Sequence, residues 1–148
     1  MFDRIVVGTD GSDKAEAALH LACELAKSQG SELHLVHCPQ PKTVAFALGA
    51  VSGYHTATTM PSPEEVTKAG EKILTAGAEV AKSHGLTITN SHQGRGDPAE
   101  VISSYAEGNR VDLIVTGRRG LGNLGALVQG STSQKINHLA KCACLTVA

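Results

Sequence analysis

Short runs of apolar, largely β-branched residues alternate along the chain with longer stretches in which apolar residues recur every three to four positions. The short runs predict buried strands, and the longer stretches predict amphipathic helices. We predict five strands, at residues 4–9, 32–38, 86–93, 111–117 and 142–148. The chain is therefore expected to alternate strand and helix from one end to the other.

Capping residues mark the start of each predicted helix. The candidate caps are Ser12, Ser62, Asp97 and either Ser131 or Thr132. The helices predicted from them run to about residues 28, 84, 107 and 141. Residues 39–60 interrupt the alternation. This segment is too long for an ordinary strand-to-helix connection, so it is either a mobile lid or partly helical.

Strand–helix alternation with these lengths predicts parallel strands joined by right-handed crossovers, with helices on both faces of the sheet. The predicted fold is α/β: a single domain over residues 1–148 with an open, doubly wound, five-stranded parallel sheet, Rossmann-like, in the order 3-2-1-4-5. In such sheets, ligands bind beyond the carboxyl ends of the strands, where the winding reverses. That crevice would be lined by residues 8–10 and by the chain from Gly117 onward.

Composition narrows the class of partner. The chain has 148 residues, of which 41% are apolar, 18% charged and 3% aromatic, with a net charge of −1. This balance argues against a general nucleic-acid binder, and aromatic platforms for stacking bases are scarce. There is no apolar run long enough to span a membrane and no basic, apolar leader at the N-terminus, so we predict a cytoplasmic protein with reduced cysteines.

Charge is nevertheless unevenly distributed. All 14 acidic residues lie at or before Asp112, whereas four basic residues lie beyond it. The C-terminal quarter is thus locally basic, which suits an anion but equally suits a buried strand and helix that need few charges.

A glycine-rich stretch, residues 117–132, fits three phosphate-loop spacings. Gly120, Gly122 and Gly125 match a dinucleotide fingerprint, but no acidic residue follows to bind a ribose and only one strand remains. Gly125 and Gly130 nearly match a P-loop, but Ser131 stands where the lysine is required. The third spacing has two residues between the first two glycines and nine before the last one. It would bring glycine backbone and a helix N-terminus to one anion.

This third pattern, G-2x-G-9x-G-[ST], resembles the ATP-binding branch of the universal stress protein family. "RIVVGTDGS", "ELHLVHC", "GDP" and "DLIVTGRRG" are similar to other conserved segments of that family, so the resemblance covers the whole chain. It implies a pocket for ATP or AMP, with magnesium held through the phosphates, and a homodimer formed through the last strand, residues 143–147. One departure is Ala143, where many relatives have proline.

The resemblance also implies the site residues. Thr9 and Asp10 would lie near the adenine and ribose, and Val36 would present backbone groups to the adenine edge. Contacts to the ribose and phosphates would come from the following residues: Thr116, Gly117, Gly120, Gly130, Ser131 and Thr132. Arg118 and Arg119 either neutralise phosphate charge or are solvated loop arginines. Asp10 is either a ligand-binding carboxylate or a turn former.

Other chemistry is less supported. His34 and His37 are expected on opposite faces of a strand, which is wrong for a shared metal site. The four cysteines are expected to be buried structural thiols, with Cys142 and Cys144 facing the same way. No spacing suggests a catalytic triad, so we predict no catalytic residues. The predicted function is nucleotide-dependent regulation of the stress response, with an unidentified protein partner; the alternatives are a nucleotide hydrolase or nucleotidyl transferase, and a nucleotide-free dimerisation module.

Overall fold

The computed structural model describes residues 1–40, 61–118 and 131–148. Strands and helices alternate through these residues, as follows: β1 Arg4–Gly8, α1 Asp13–Gln29, β2 Glu32–His37, α2 Pro63–Ser83, β3 Ile88–Gln93, α3 Pro98–Gly108, β4 Leu113–Gly117, α4 Ser131–Leu139 and β5 Ala143–Val147. No helix in the described ranges is both long and apolar enough to cross a membrane.

The five strands form one parallel sheet in the order β3-β2-β1-β4-β5, which confirms the predicted fold. Gly8, at the end of β1, lies opposite Val36 of β2 and Thr116 of β4. The winding reverses at β1, because the chain moves outward to β2 on one side and later to β4 on the other. The carboxyl ends of these three strands therefore meet at one edge of the sheet.

Helix caps follow the predicted chemistry at three positions. The side chains of Ser12, Ser62 and Asp97 accept hydrogen bonds from the amides of Ala15, Glu65 and Glu100. Each cap satisfies one of the amides that the first turn of a helix leaves without an intrahelical partner.

The third strand begins two residues later than predicted, at Ile88 instead of residue 86. The amide of Leu86 bonds to the carbonyl of Ala81, and the amide of Gly85 bonds to that of Lys82. Gly85 has a φ of +77°, the left-handed conformation that allows this closing turn. Leu86 therefore belongs to the end of α2, because its amide satisfies a terminal carbonyl of that helix.

Two apolar clusters cover the two faces of the sheet. On one face, α1 and α2 pack on β-strand side chains that include Ile5, Val7 and Leu35. On the other face, α3 and α4 pack on Val6, Val36 and Ile114. The doubly wound arrangement thus follows from strands that are apolar on both sides.

Two lysines fasten α4 to α3. The Lys135 ammonium lies 3.2 Å from Asp97 and 3.1 Å from Glu100, near the start of α3. Lys141, after the end of α4, pairs with Glu107 near the end of α3. The two helices therefore run in the same direction, and both begin at the carboxyl edge of the sheet. Lys135 and Lys141 are two of the four basic residues beyond Asp112, and acidic residues at the two ends of α3 offset their charge.

Candidate functional site

The ends of β1 and β2 are locked together at the crevice. The Thr9 amide donates to the Val36 carbonyl at 2.9 Å, and His37 Nδ1 lies 2.7 Å from the Thr9 carbonyl. Because a carbonyl can only accept, His37 Nδ1 carries the proton. Burial lowers the pKa of His37, although the Thr9 carbonyl and the Asp10 carboxylate oppose this shift. His37 is therefore neutral at pH 7, and it fixes the turn that follows β1.

Asp10 forms the turn that enters α1. Its Oδ1 accepts a hydrogen bond from the Ser12 amide at 2.9 Å, and Thr9 Oγ1 accepts one from Gly11 at 3.3 Å. Gly11 has a φ of +79°, which a residue with a side chain rarely adopts. The turn-forming role of Asp10 is thus present in the structure. The side chain remains half-buried at the crevice, which is where the predicted ligand role would place it.

Gly117 lies against the first turn of α1. A Cβ added to Gly117 would lie 2.7 Å from the backbone carbon and oxygen of Lys14 and 2.9 Å from the Ala15 amide nitrogen. A side chain at this position would collide with backbone that cannot rotate away. The close approach of α1 therefore requires glycine here, independently of any ligand.

Thr116 and Arg118 flank this glycine in different environments. Thr116 is buried, and it pairs with Gly8 on the neighbouring strand β1. Arg118 is exposed, and its amide donates to the Val147 carbonyl at 2.7 Å. The Arg118 amide thus extends the pairing of β4 with β5, while its guanidinium is at the surface.

The segment Gly96-Asp97-Pro98, which precedes α3, lies close to the end of β2. Both the Cys38 thiol, at 3.3 Å, and the Gln40 amide, at 3.2 Å, donate to the Gly96 carbonyl. The Gly94 amide donates to the His37 carbonyl at 2.9 Å. The loop after β3 is therefore tied to the same edge of the sheet as Thr9.

Helix α4 brings its first residues to this edge. Ser131 is exposed and Thr132 is half-buried, whereas Ile136 is buried among the side chains of α3. The N-terminal end of α4 thus presents hydroxyls and a positive helix-dipole end on the side where the strands terminate.

The structure brings six of the predicted site residues to the carboxyl edge, at or just beyond the ends of β1, β2 and β4: Thr9, Asp10, Val36, Thr116, Gly117 and Arg118. Ser131 and Thr132 lie at the same edge through α4. Arg119, Gly120 and Gly130 lie outside the described residues. So does most of segment 39–60, since residues 41–60 are not described. His37 was not among the predicted site residues, although it is the last residue of β2 and Thr9 directly follows the neighbouring strand β1.

The predictions for His34 and for the four cysteines have mixed outcomes. His34 bonds to the Tyr105 hydroxyl, away from His37. All four cysteines are free, and Cys142 and Cys144 pack on the same apolar cluster, as predicted. The expectation that all four are buried is wrong for this pair, because β5 lies at the sheet edge and leaves both thiols half-exposed.

Replacement of the Asp97 cap tests how α3 is held at this edge. Asp97→Ala is expected to lower the free energy of unfolding by about 1 kcal/mol at pH 7, because the Glu100 amide loses its acceptor. The control Asp97→Asn keeps an acceptor and should lose less. The pKa of Asp97 is lowered from 3.8, chiefly by the Glu100 amide and further by Lys135. A lowered carboxyl pKa stabilises the fold above the ordinary value and ceases to do so as the pH falls through the folded-state value.

Urea unfolding at pH 7 and at pH 3 measures this cap. The difference between the wild type and Asp97→Ala should be smaller at pH 3. A difference that stays constant down to the acid limit would show that the carboxylate charge does not contribute.

The fold and the crevice define a doubly wound α/β protein in which the ends of β1, β2 and β4 and the start of α4 lie at one edge of the sheet. A model of the universal stress protein family matches residues 1–148. The universal stress protein YxiE of Bacillus subtilis is 34% identical over 155 residues, covering 99% of both chains. This chain therefore belongs to the universal stress protein family.

Solved structures show the same fold. A universal stress protein in complex with cAMP superposes with a TM-score of 0.69, is 23% identical and covers 99% of this chain and 97% of its own. The universal stress protein from Archaeoglobus fulgidus in complex with dAMP superposes with a TM-score of 0.66 and is 19% identical, covering 98% and 97%.

Proposed function

We propose that this protein binds ATP in the crevice between the ends of β1 and β4 and acts as a nucleotide-dependent regulator in the stress response. The observation that carries the proposal is the position of the two ends of the G-2x-G-9x-G-[ST] pattern. Gly117 ends β4, and Ser131 begins α4, at the same edge of the sheet. The pattern therefore runs from a strand end to a helix start, which is the arrangement that binds phosphate through backbone amides.

The side chains at this edge have the chemistry that a nucleoside requires. Thr9 and Thr116 supply hydroxyls, and Asp10 supplies a carboxylate that can accept from ribose hydroxyls. The hydroxyls of Ser131 and Thr132 and the start of α4 would meet the phosphates, with Arg118 and Arg119 available to offset their charge. Val36 is proposed to meet the adenine edge, although its carbonyl already accepts the Thr9 amide.

Magnesium is proposed to bind through the phosphates of ATP. Among the described residues, no group of three or more His, Cys, Asp or Glu side chains is arranged to enclose a metal ion. Mg²⁺ keeps several waters and commonly takes its other ligands from substrate phosphates, so a site without a protein cage suits it.

The relatives support an adenine nucleotide as the ligand class. Two of the similar solved structures are complexes with cAMP and with dAMP. We propose ATP or AMP for this chain; the long glycine-rich segment offers more backbone than one phosphate needs, which favours ATP. Hydrolysis is expected to be slow or absent, since Ser131 replaces the lysine that a P-loop uses on the terminal phosphates.

The regulator is proposed to act as a cytoplasmic homodimer joined through residues 143–147. β5 is one of the two edge strands of the sheet, and Cys144, Leu145 and Val147 are only partly buried. An apolar edge strand favours pairing with another strand. Nucleotide occupancy would then change segments 39–60 and 117–130, and with them the surface that a protein partner meets.

One purified sample tests both parts of this proposal. Denaturing the freshly purified protein should release an adenine nucleotide, identified by chromatography and mass spectrometry, and the stripped protein should bind ATP on titration with Mg²⁺. Sedimentation should give twice the chain mass of 15.3 kDa. Absence of both released nucleotide and ATP binding would reject the nucleotide site. Turnover at about 1 per second or faster would indicate an enzyme instead.

A further inference from the structure

Two histidines meet on the surface between α1 and the end of α2, away from the crevice. His20 Nδ1 lies 2.8 Å from His84 Nε2, and the ring centroids are 5.0 Å apart. Each ring has a carboxylate on its other side. His84 Nδ1 lies 2.8 Å from Glu24 Oε1, and His20 Nε2 lies 3.6 Å from Glu16 Oε1.

The hydrogen bonds assign the tautomers of this pair. An ionised Glu24 can only accept, so His84 Nδ1 carries a proton and, in the neutral ring, Nε2 has the lone pair. His20 Nδ1 then donates to that lone pair. His20 Nε2 is left without a proton although it faces the Glu16 carboxylate. This arrangement satisfies one ring and not the other.

We propose that His20 and His84 form a binding site for a divalent late first-row transition metal ion of the Ni²⁺ and Cu²⁺ class. The ion would take the lone pairs of His84 Nε2 and His20 Nδ1. Binding needs one internal proton shift, in which His20 Nδ1 loses its proton and Nε2 gains one, directly beside Glu16. Both rings then bind the ion through one nitrogen and donate from the other to a carboxylate, as metal-binding histidines usually do.

The distance between the two nitrogens, which their hydrogen bond sets, is compatible with this class of ion. With metal–nitrogen bonds of about 2.0–2.1 Å, two ligands at a right angle are about 2.9 Å apart, and two ligands in a tetrahedron are about 3.3 Å apart. The observed separation of 2.8 Å is close to the first value. Right-angled geometry and imidazole ligands are typical of Ni²⁺ and Cu²⁺ sites.

Solvent completes the coordination shell. The His20 side chain is 48% exposed and that of His84 is 18% exposed, so both rings reach the surface. Among the described residues no third ligand is arranged to join them. The proposed site therefore has two protein nitrogens as ligands and water at the remaining positions. It links the middle of α1 to His84, which caps the C-terminus of α2.

Tag-free, metal-stripped protein titrated with NiCl2 tests the site directly. Wild-type protein should bind one Ni²⁺ at this pair, and its Tm should rise by about 5–10 °C at a Ni²⁺ concentration 100-fold above the Kd. His20→Gln and His84→Gln should each weaken this binding by about 100-fold, because a single imidazole loses the benefit of the second. Glu24→Ala should weaken it by about tenfold, since it removes the acceptor that orients His84. ZnCl2 should bind more weakly than NiCl2.

The control is His138→Gln, which removes another exposed helical histidine and should leave binding and the Tm shift unchanged. Equal Ni²⁺ affinity in wild type, His20→Gln and His84→Gln would overturn the proposal. So would a change in oligomeric state on adding Ni²⁺ that His20→Gln abolishes, since the ion would then join two copies. Because the pair lies outside the crevice, loss of Ni²⁺ binding should leave ATP binding unaltered, and failure of either proposal is seen separately.

Discussion

Gly117→Ala is expected to lower the free energy of unfolding by about 3 kcal/mol. The added methyl would lie 2.7 Å from the Lys14 carbonyl group and 2.9 Å from the Ala15 nitrogen. Overpacking in a well-packed interior costs about 1–3 kcal/mol. The upper end applies here because the opposing atoms belong to the backbone of α1, which is itself held by the Ser12 cap. Urea denaturation at pH 7 measures the change, and Tm should fall by about 6–12 °C.

Gly108→Ala is the matched control for this substitution. Gly108 is the last residue of α3, and a Cβ added there would have no heavy atom within 4 Å. Alanine at this position should be neutral or slightly stabilising, because glycine has the lower helix propensity. If Gly117→Ala proved as benign as Gly108→Ala, the close approach of α1 to β4 would be wrong.

Gly130→Asp is expected to abolish ATP binding. The residue lies outside the described part of the chain, but it directly precedes α4, where the proposed phosphate site requires backbone without a side chain. An aspartate there would add bulk and a negative charge next to the phosphates, and like charges at short range repel each other. Isothermal titration with ATP and Mg²⁺ should show a Kd at least about 100-fold weaker, while the Tm of the nucleotide-free protein changes little.

Gly122→Ala provides the control within the same segment. Gly122 belongs to the dinucleotide spacing and not to the G-2x-G-9x-G-[ST] spacing. Its replacement should leave ATP affinity within about threefold of the wild type, a change of less than 1 kcal/mol. If Gly122→Ala abolished binding and Gly130→Asp did not, the assignment of the informative glycines would have to be reversed.

The fold was predictable because its signals are local and repeated. β1, β4 and β5 are short apolar runs, and Ser12, Ser62 and Asp97 cap the helices they were expected to cap. The strand order is the doubly wound arrangement expected for alternating strands and helices. Boundaries were less predictable where the chain closes a helix through backbone bonds. The turn at Leu86 is an example, because the letters "GLTIT" do not show that the Leu86 amide returns to Ala81.

The site was predictable as a place and less so as a set of contacts. Spacing indicated that Gly117 belongs at the crevice, but not that its missing side chain makes room for α1. From the sequence, Lys135 is one of the basic residues of the C-terminal quarter. In the structure it pairs with Asp97 and Glu100 at the start of α3, which are far from it in the sequence. His37 shows the same limit, since its bond to Thr9 joins residues that are far apart in sequence. Such contacts depend on tertiary packing.

The residues on either side of segment 119–130 are held by contacts that involve no ligand. At one end, the bond from Arg118 to Val147 continues the sheet past Gly117. At the other end, α4 is held by buried Ile136 and by the ion pairs of Lys135. Only the twelve residues 119–130 lie between these anchors. A nucleotide bound between these anchors would therefore not meet the entropic cost of docking a helix, so more of its binding free energy is left for affinity.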